Sequence, residues 1–334
     1  MARSRAWRLT TAVLLGLLAP ALAEEPLPPG NHELTLTHGE RERWAVVHVP
    51  PQAAERRTER LPLVLVFHGG GGEPLGMQRH AEGLDRLADR EGFLVVYPAG
   101  TGPLQRRLLT WNAGSCCGSA ARDGVDDVGF VEALLRHVAA RAPVDPTRVY
   151  ASGLSNGAMM SYRLAVDCSQ RIAAIAPVAG AMVAVLPTRP PRPVPVIHFH
   201  SLDDPRALYA GGLGPPFPLT RARVLHPPVE KTLAWWVEQN GCPPEPELGP
   251  LQSGPPDSPS AAHTARTVRW GPGKDGAEVV LWKLTGAGHV WPGGPAYGPE
   301  RLVGPATLAV DANTEMWSFF KRFRRPDAPP LREE

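Results

Sequence analysis

The stretch Tyr150-Ala151-Ser152-Gly153-Leu154-Ser155-Asn156-Gly157-Ala158-Met159-Met160 narrows the fold of this 334-residue chain more than any other. A short apolar run meets a G-x-S-x-G pattern, and helix-compatible residues carry on from it. That order fits a sharp strand-to-helix turn, with Ser155 at the apex and Gly153 and Gly157 leaving room for neighbouring backbone. A serine hydroxyl is a weak nucleophile unless the chain thrusts it into the open beside a base, and such a turn does so. A plain surface turn would read the same over five residues, so the surrounding chain has to decide.

The surroundings alternate between strand and helix signals. Pro62–Phe67 is continuously apolar and reads as a buried central strand. Further strands are predicted at 92–98, 148–152, 172–180, 194–200 and 278–284. Helical patterns fall at 77–90, 156–166, 229–240 and 312–322. Another begins after Asp126 and Asp127, where Val128, Val131, Leu134, Leu135 and Val138 recur at helical spacing. For those two aspartates, capping that helix is favoured over catalysis. The alternation predicts an α/β protein with a mostly parallel central sheet and helices on both faces. Ahead of it, 33–37 and 43–49 read as a half-exposed antiparallel pair. The Pro/Gly/Ser-rich stretches at 211–227 and 243–265 are expected to be irregular excursions within one domain. A hydrophobic content of 43% is enough for its core.

The ends of the chain read differently. Arg3, Arg5 and Arg8 precede a short apolar run and Ala21-Leu22-Ala23, the pattern of a secretory signal peptide over 1–23. The apolar run falls short of the roughly 20 residues that span a membrane, so no membrane anchor is expected. Residues 24–34 read as an extended lead-in, 35–322 as the catalytic domain and 323–334 as a frayed tail. Without the three leader arginines, basic and acidic side chains nearly balance, which argues against a nucleic-acid-binding patch. Export to an oxidising compartment, periplasmic or extracellular, gives Cys116, Cys117, Cys168 and Cys242 the meaning of two disulfides. Each of the adjacent pair is expected to reach one of the distant cysteines. Metal binding has little support, because no C-x-x-C or nearby His/Cys spacing accompanies them.

Three residues stand just after predicted strands in the order Ser155, Asp204, His289. Nucleophile, acid, histidine is the chain order of α/β-hydrolases. His289 lies between glycines, which predicts an exposed, adaptable loop position, and Asp203 is the fallback for the acid. The loop His68-Gly69-Gly70-Gly71-Gly72 follows the central strand. No Gly-Lys-Ser/Thr follows it for phosphate, so its expected use is to present N–H groups to an oxyanion. Gly70 or Gly71 would share that task with the Asn156 amide, while His68 fixes the loop by hydrogen bonds. Trp111 and Trp291 are candidate walls for the substrate cleft, core packing being the other use of such rings.

Five motifs in order then carry a family resemblance: His68–Gly72, Trp111-Asn-Ala-Gly-Ser-Cys-Cys-Gly118, Val125-Asp-Asp-Val-Gly-Phe130, Gly153-Leu-Ser-Asn-Gly157 and Gly288-His-Val-Trp-Pro-Gly-Gly294. Together they resemble the secreted polyhydroxybutyrate depolymerase-like esterases, grouped with feruloyl and acetylxylan esterases, over about 35–322. The resemblance implies an α/β-hydrolase fold and hydrolysis of carboxylic esters without metal or organic cofactor. One departure stands out. Where the family reads His-Gly-Thr before its acid, this chain has His200-Ser-Leu-Asp-Asp-Pro205, and matching the Pro and the later Tyr209 puts the acid at Asp204. With no linker and binding module after the last helix, soluble oligomers, short-chain esters or plant cell-wall phenolic esters are expected over crystalline polyester. The contrasting expectation is a non-catalytic exported binding protein that keeps the fold.

Overall fold

The computed structural model describes residues 25–55, 59–183, 189–217 and 223–331. The expected signal peptide therefore lies outside the described residues. Thirteen strands are present among them: β1 (Gly30–His38), β2 (Arg41–Val49), β3 (Leu61–Phe67), β4 (Leu94–Pro98), β5 (Val144–Leu154), β6 (Ile172–Val178), β7 (Val196–Ser201), β8 (Gly212–Leu213), β9 (Leu225–His226), β10 (Glu247–Leu248), β11 (Gln252–Ser253), β12 (Thr264–Trp270) and β13 (Val279–Thr285). The helices are α1 (Gln52–Glu55), α2 (Pro74–His80), α3 (Leu84–Glu91), α4 (Gly118–Arg122), α5 (Asp127–Arg141), α6 (Asn156–Asp167), α7 (Val229–Asn240), α8 (Glu300–Val303) and α9 (Ala312–Phe320).

One sheet organises them, in the order β1-β2-β4-β3-β5-β6-β7-β13-β12-β10, with β11 on β12. From β4 to β13 its neighbours run parallel, and antiparallel strands finish both edges. The continuous apolar run of β3 follows from this placement, since a central parallel strand is covered on both sides. Its Leu63, Leu65 and Phe67 join one core cluster with residues of α5, α6 and α7. Val64 and Val66 point the other way, into a cluster with residues of α2, α3 and α9.

Several expectations need correction. The helix predicted over 77–90 is two helices, parted where Gly83 takes a left-handed φ of 88°. The lead-in over 24–34 is already strand from Gly30, and β2 is buried from Arg43 to Val49 instead of half-exposed. The excursions carry the short strands β8 to β11, and β12, which no strand signal was assigned to, pairs along its full length with β13. The tail is packed, not frayed, up to its last described residue: Arg325 donates to the carbonyls of Ile172 and Pro193, Arg171 donates to that of Pro330, and Leu331 is buried.

Candidate active site

The turn at Ser155 is as tight as its sequence suggests. β5 ends at Leu154 and α6 begins at Asn156, which leaves Ser155 alone to make the corner at φ 57° and ψ −115°. A non-glycine residue in that region costs on the order of 1–3 kcal/mol, so the surroundings must enforce it. The two glycines let them. A Cβ on Gly153 would stand 2.6 Å from the Gly157 carbonyl carbon, and one on Gly157 would strike the Phe67 carbonyl at the end of β3. Strand, turn and helix thus meet backbone to backbone, and Ser155 N–H is tied to Val178 O at 2.8 Å.

The glycine loop is fixed from behind. His68 donates from Nδ1 to Gly69 O (2.8 Å) and accepts at Nε2 from Gly100 N–H (3.0 Å), which sets its tautomer. Burial pushes its pKa down to about 4, so it stays neutral and structural, as expected. Trp111 braces the same loop: its Nε1 donates to His68 O (3.0 Å), and its backbone is clamped by both amide atoms of Asn156 (2.7 and 3.1 Å). It is fully buried. Trp291 is equally buried and donates to Asn313 Oδ1. Neither ring walls the cleft, because each satisfies its N–H inside the protein and packs there. Gly71 is also corrected: its N–H is taken by Leu109 O at 2.8 Å. The amides of Gly70 and Asn156 have no such acceptor among the described residues.

On the other side, two loops converge after β7 and β13. Asp204 is buried; its Oδ1 accepts from Arg206 N–H (2.7 Å) and Ala207 N–H (2.8 Å), and its Oδ2 lies 2.7 Å from His289 Nδ1. Burial pushes this carboxyl up, but His289, His200 and the Ala207 amide outweigh it and hold the pKa below the usual value. Asp203 does a different job, accepting from Gly286 N–H at 2.7 Å and so joining the two loops. His289 is only 6% exposed, against the expectation of an open loop. The reason is at Gly288, where the missing Cβ lets the backbone of Val303 and Gly304 close over it.

Other features were not read from the sequence. Tyr162 Oη, His198 and His200 form a buried file of hydrogen bonds (2.9 and 3.0 Å) that ends with His200 Nε2 donating to Ala207 O (2.7 Å), beneath the Asp204 turn. Burial lowers both histidine pKa values, so the file is neutral. Their i, i+2 spacing on β7 was the available signal. Asp126 caps α5 through Gly129 N–H as expected, but Asp127 instead pairs with buried Arg43 (2.7 Å) and accepts from Asn112 N–H, holding the loop that carries Trp111. The cysteine scheme is also overturned. Cys116 and Cys117 lie side by side in a small cluster with Met159 and Val183, away from the two distant cysteines. Cys168 and Cys242 are free thiols packed in the main core instead, and burial pushes Cys168 up to about 12.

Ser155, His289 and Gly69–Gly72 line one cavity of about 320 Å³, joined by Met159, Phe217 and Arg206. Among the described residues no group of three or more His, Cys, Asp or Glu side chains could hold a metal ion, and no helix is long and apolar enough to cross a membrane.

Residues 44–210, half the chain, match the family model described as esterase PHB depolymerase. The chain belongs to this esterase family. It is 31% identical to NocK of Nocardia uniformis subsp. tsuyamanensis, named as an esterase, over 81% of this chain and 79% of that protein. It is 29% identical to a bifunctional acetylxylan esterase/xylanase of Neocallimastix patriciarum (76% of this chain) and 29% identical to feruloyl esterase B of Piromyces equi (68% of this chain). The chain spans only 32% and 39% of those two proteins' lengths. A dienelactone hydrolase-like promiscuous phosphotriesterase from metagenomic libraries superposes with a TM-score of 0.52 at 15% identity, over 88% of this chain and 98% of that one. The shared architecture is the α/β-hydrolase fold, and the family makes this PHB depolymerase-type esterase a carboxylic ester hydrolase.

Proposed function

We propose that the esterase works through Ser155, His289 and Asp204 and an acyl-enzyme intermediate. The observation that carries this reading is the buried 2.7 Å contact between Asp204 Oδ2 and His289 Nδ1, in a residue pair whose histidine shares a cavity with Ser155. In the mechanism, His289 Nε2 takes the Ser155 proton as Oγ attacks the ester carbonyl. Asp204 orients the ring and stabilises its charged form. The Gly70 and Asn156 amides donate to the developing oxyanion, each worth about 2.7–4 kcal/mol of barrier. Collapse returns the proton to the leaving alcohol and leaves an acyl-serine. Water, deprotonated by the same histidine, then releases the acid.

The substrate class proposed is polyhydroxybutyrate oligomers, short-chain esters, or feruloyl and acetyl esters of polysaccharide. Support comes from the family and from relatives named for acetylxylan and feruloyl esters. Export follows from the signal-peptide pattern over 1–23. Hydrolysis of p-nitrophenyl butyrate by wild type and Ser155→Ala tests the chemistry. The variant should lose on the order of 10⁶ in kcat, and equal rates in the two proteins would end the proposal. A panel of hydroxybutyrate oligomers, methyl ferulate and acetylated xylan would rank the substrates.

A further inference from the structure

We propose that Arg206 makes this site a reader of negative charge: its guanidinium binds a carboxylate carried by the ester substrate. The inference rests on the esterase reading above and extends it to substrate choice.

Arg206 stands two residues after Asp204, and its own N–H donates to the Asp204 carboxylate at 2.7 Å, so its backbone is fixed beside the acid. Its side chain lines the cavity that holds Ser155 and His289. Both terminal nitrogens donate to Pro216 O at 3.2 Å, and the guanidinium carbon lies 5.7 Å from the centre of the Phe217 ring. Phe217 in turn lies within 3.6 Å of where a Cβ on Gly70 would be. The cation is thus held at the cavity wall by a carbonyl and a ring, not left to sweep through solvent.

No carboxylate among the described residues pairs with that guanidinium. Asp204 has its carboxylate oxygens engaged by His289 and by the Arg206 and Ala207 amides. Among the described residues no Asp or Glu lines the cavity, whose walls include Leu154, Met159, Val224 and Val303. Two lining histidines add no fixed charge, since burial pushes both His80 and His226 down to about 4. A guanidinium has five N–H donors in a rigid fork, and a carbonyl satisfies only part of them. What fits the remainder is a planar, bidentate anion such as a carboxylate. Esters that carry one close to the scissile bond are of two kinds: an oligomeric hydroxy acid with its free acid end on the alcohol half, and a half-ester of a dicarboxylic acid with the charge on the acyl half.

The experiment compares kcat/KM within two matched pairs: the linear 3-hydroxybutyrate dimer against its methyl ester, and p-nitrophenyl monosuccinate against p-nitrophenyl butyrate. Wild type, Arg206→Gln and Arg206→Lys are measured after thermal melting has established that each is folded. Wild type should prefer the charged member of one pair by ~10-fold or more, mainly through KM, and that pair says which half carries the anion. Arg206→Gln should abolish the preference and Arg206→Lys restore part of it. Because the readout is a ratio inside each protein, a general loss of activity cancels. A wild type without preference in either pair, or an Arg206→Gln protein that keeps it, overturns the proposal. Should Arg206→Gln not fold, the wild-type preference must still shrink at high salt and in Arg206→Lys, and a preference unmoved by both overturns it equally. Wild type that hydrolyses neither p-nitrophenyl butyrate nor the methyl ester would instead sink the esterase reading beneath it.

Discussion

At the serine, position is set by backbone against backbone: Gly153, Gly157 and the Phe67 carbonyl touch, and no side chain could be inserted between them. At the histidine, it is set by side chains: Asp204 holds His289 and two amides, Asp203 holds Gly286, and His200 supports the turn through Ala207. The two halves of one cleft therefore tolerate different changes. The serine half demands glycine at fixed places, whereas the acid half accepts drift wherever the hydrogen bonds can still be made. This chain uses that freedom. Ser201 and Leu202 stand where the resembling family has Gly-Thr, and Asp204 still reaches His289.

The largest effect expected from the comparison lies in the acid half. Asp204→Asn should lower kcat by about 10⁴, as loss of an orienting carboxylate does in other serine hydrolases, while the melting temperature changes far less. Asp203→Asn keeps an amide oxygen able to accept from Gly286 N–H, and Ser201 Oγ also ties the loops through Ala287 O, so it should cost less than about 10-fold. Steady-state kinetics of the two variants on one neutral ester decide it, and the reverse ranking would exchange the roles of the two aspartates.

Next comes the serine half. Gly157→Ala forces a methyl against the Phe67 carbonyl, so strand, turn and helix must part. Overpacking of this kind costs about 1–3 kcal/mol of stability. The shift of Ser155 should cost activity by roughly 10²-fold or more. Stability and rate should fall together here, unlike in Asp204→Asn. Urea unfolding alongside kinetics would expose a variant that keeps both, and such a result would remove the backbone-contact account.

The same contrast explains what the sequence made legible. Glycine required by close approach leaves a mark at a fixed spacing, so Ser155 and the 68–72 loop could be read. Asp204 was readable from its place after a strand and from chain order. The tryptophans were not, because a ring that walls a cleft and one that braces a loop look alike until burial is known. The Arg43–Asp127 pair escaped because nothing local links residues 84 apart in sequence. Strand β12 follows a Pro/Ser-rich excursion and needs its β13 partner to be recognised, since strand propensity is mostly a matter of neighbours. The cysteines misled for a related reason: an even count in a chain expected to be exported suggests bridges, but says nothing of where Cys168, just after α6, and Cys242, just after α7, come to rest.

The smallest effect concerns pH and the support beneath each half. His68 titrates near 4 in the folded chain because burial disfavours its charge, against 6.5 for a free histidine. Between those values the unfolded chain binds a proton that the folded chain does not, so stability falls as pH drops from about 6.5 to about 4 and the loss levels off below. For one fully buried group this amounts to at most on the order of 3 kcal/mol. His80 and His226 shift the same way and act in the same window. Asp204, held below its ordinary value, contributes stability that is present above about 3.8 and is lost only on further acidification. The histidines should therefore loosen the site before the acid itself is protonated. Urea unfolding of wild type and His68→Asn between pH 7.5 and 4.5 measures it. The variant should start less stable but lose less over that range, because its glycine loop no longer rests on a ring that must stay neutral. An equal loss in both proteins would mean that His68 titrates normally, and that the serine half owes its acid sensitivity to something other than the ring beneath it.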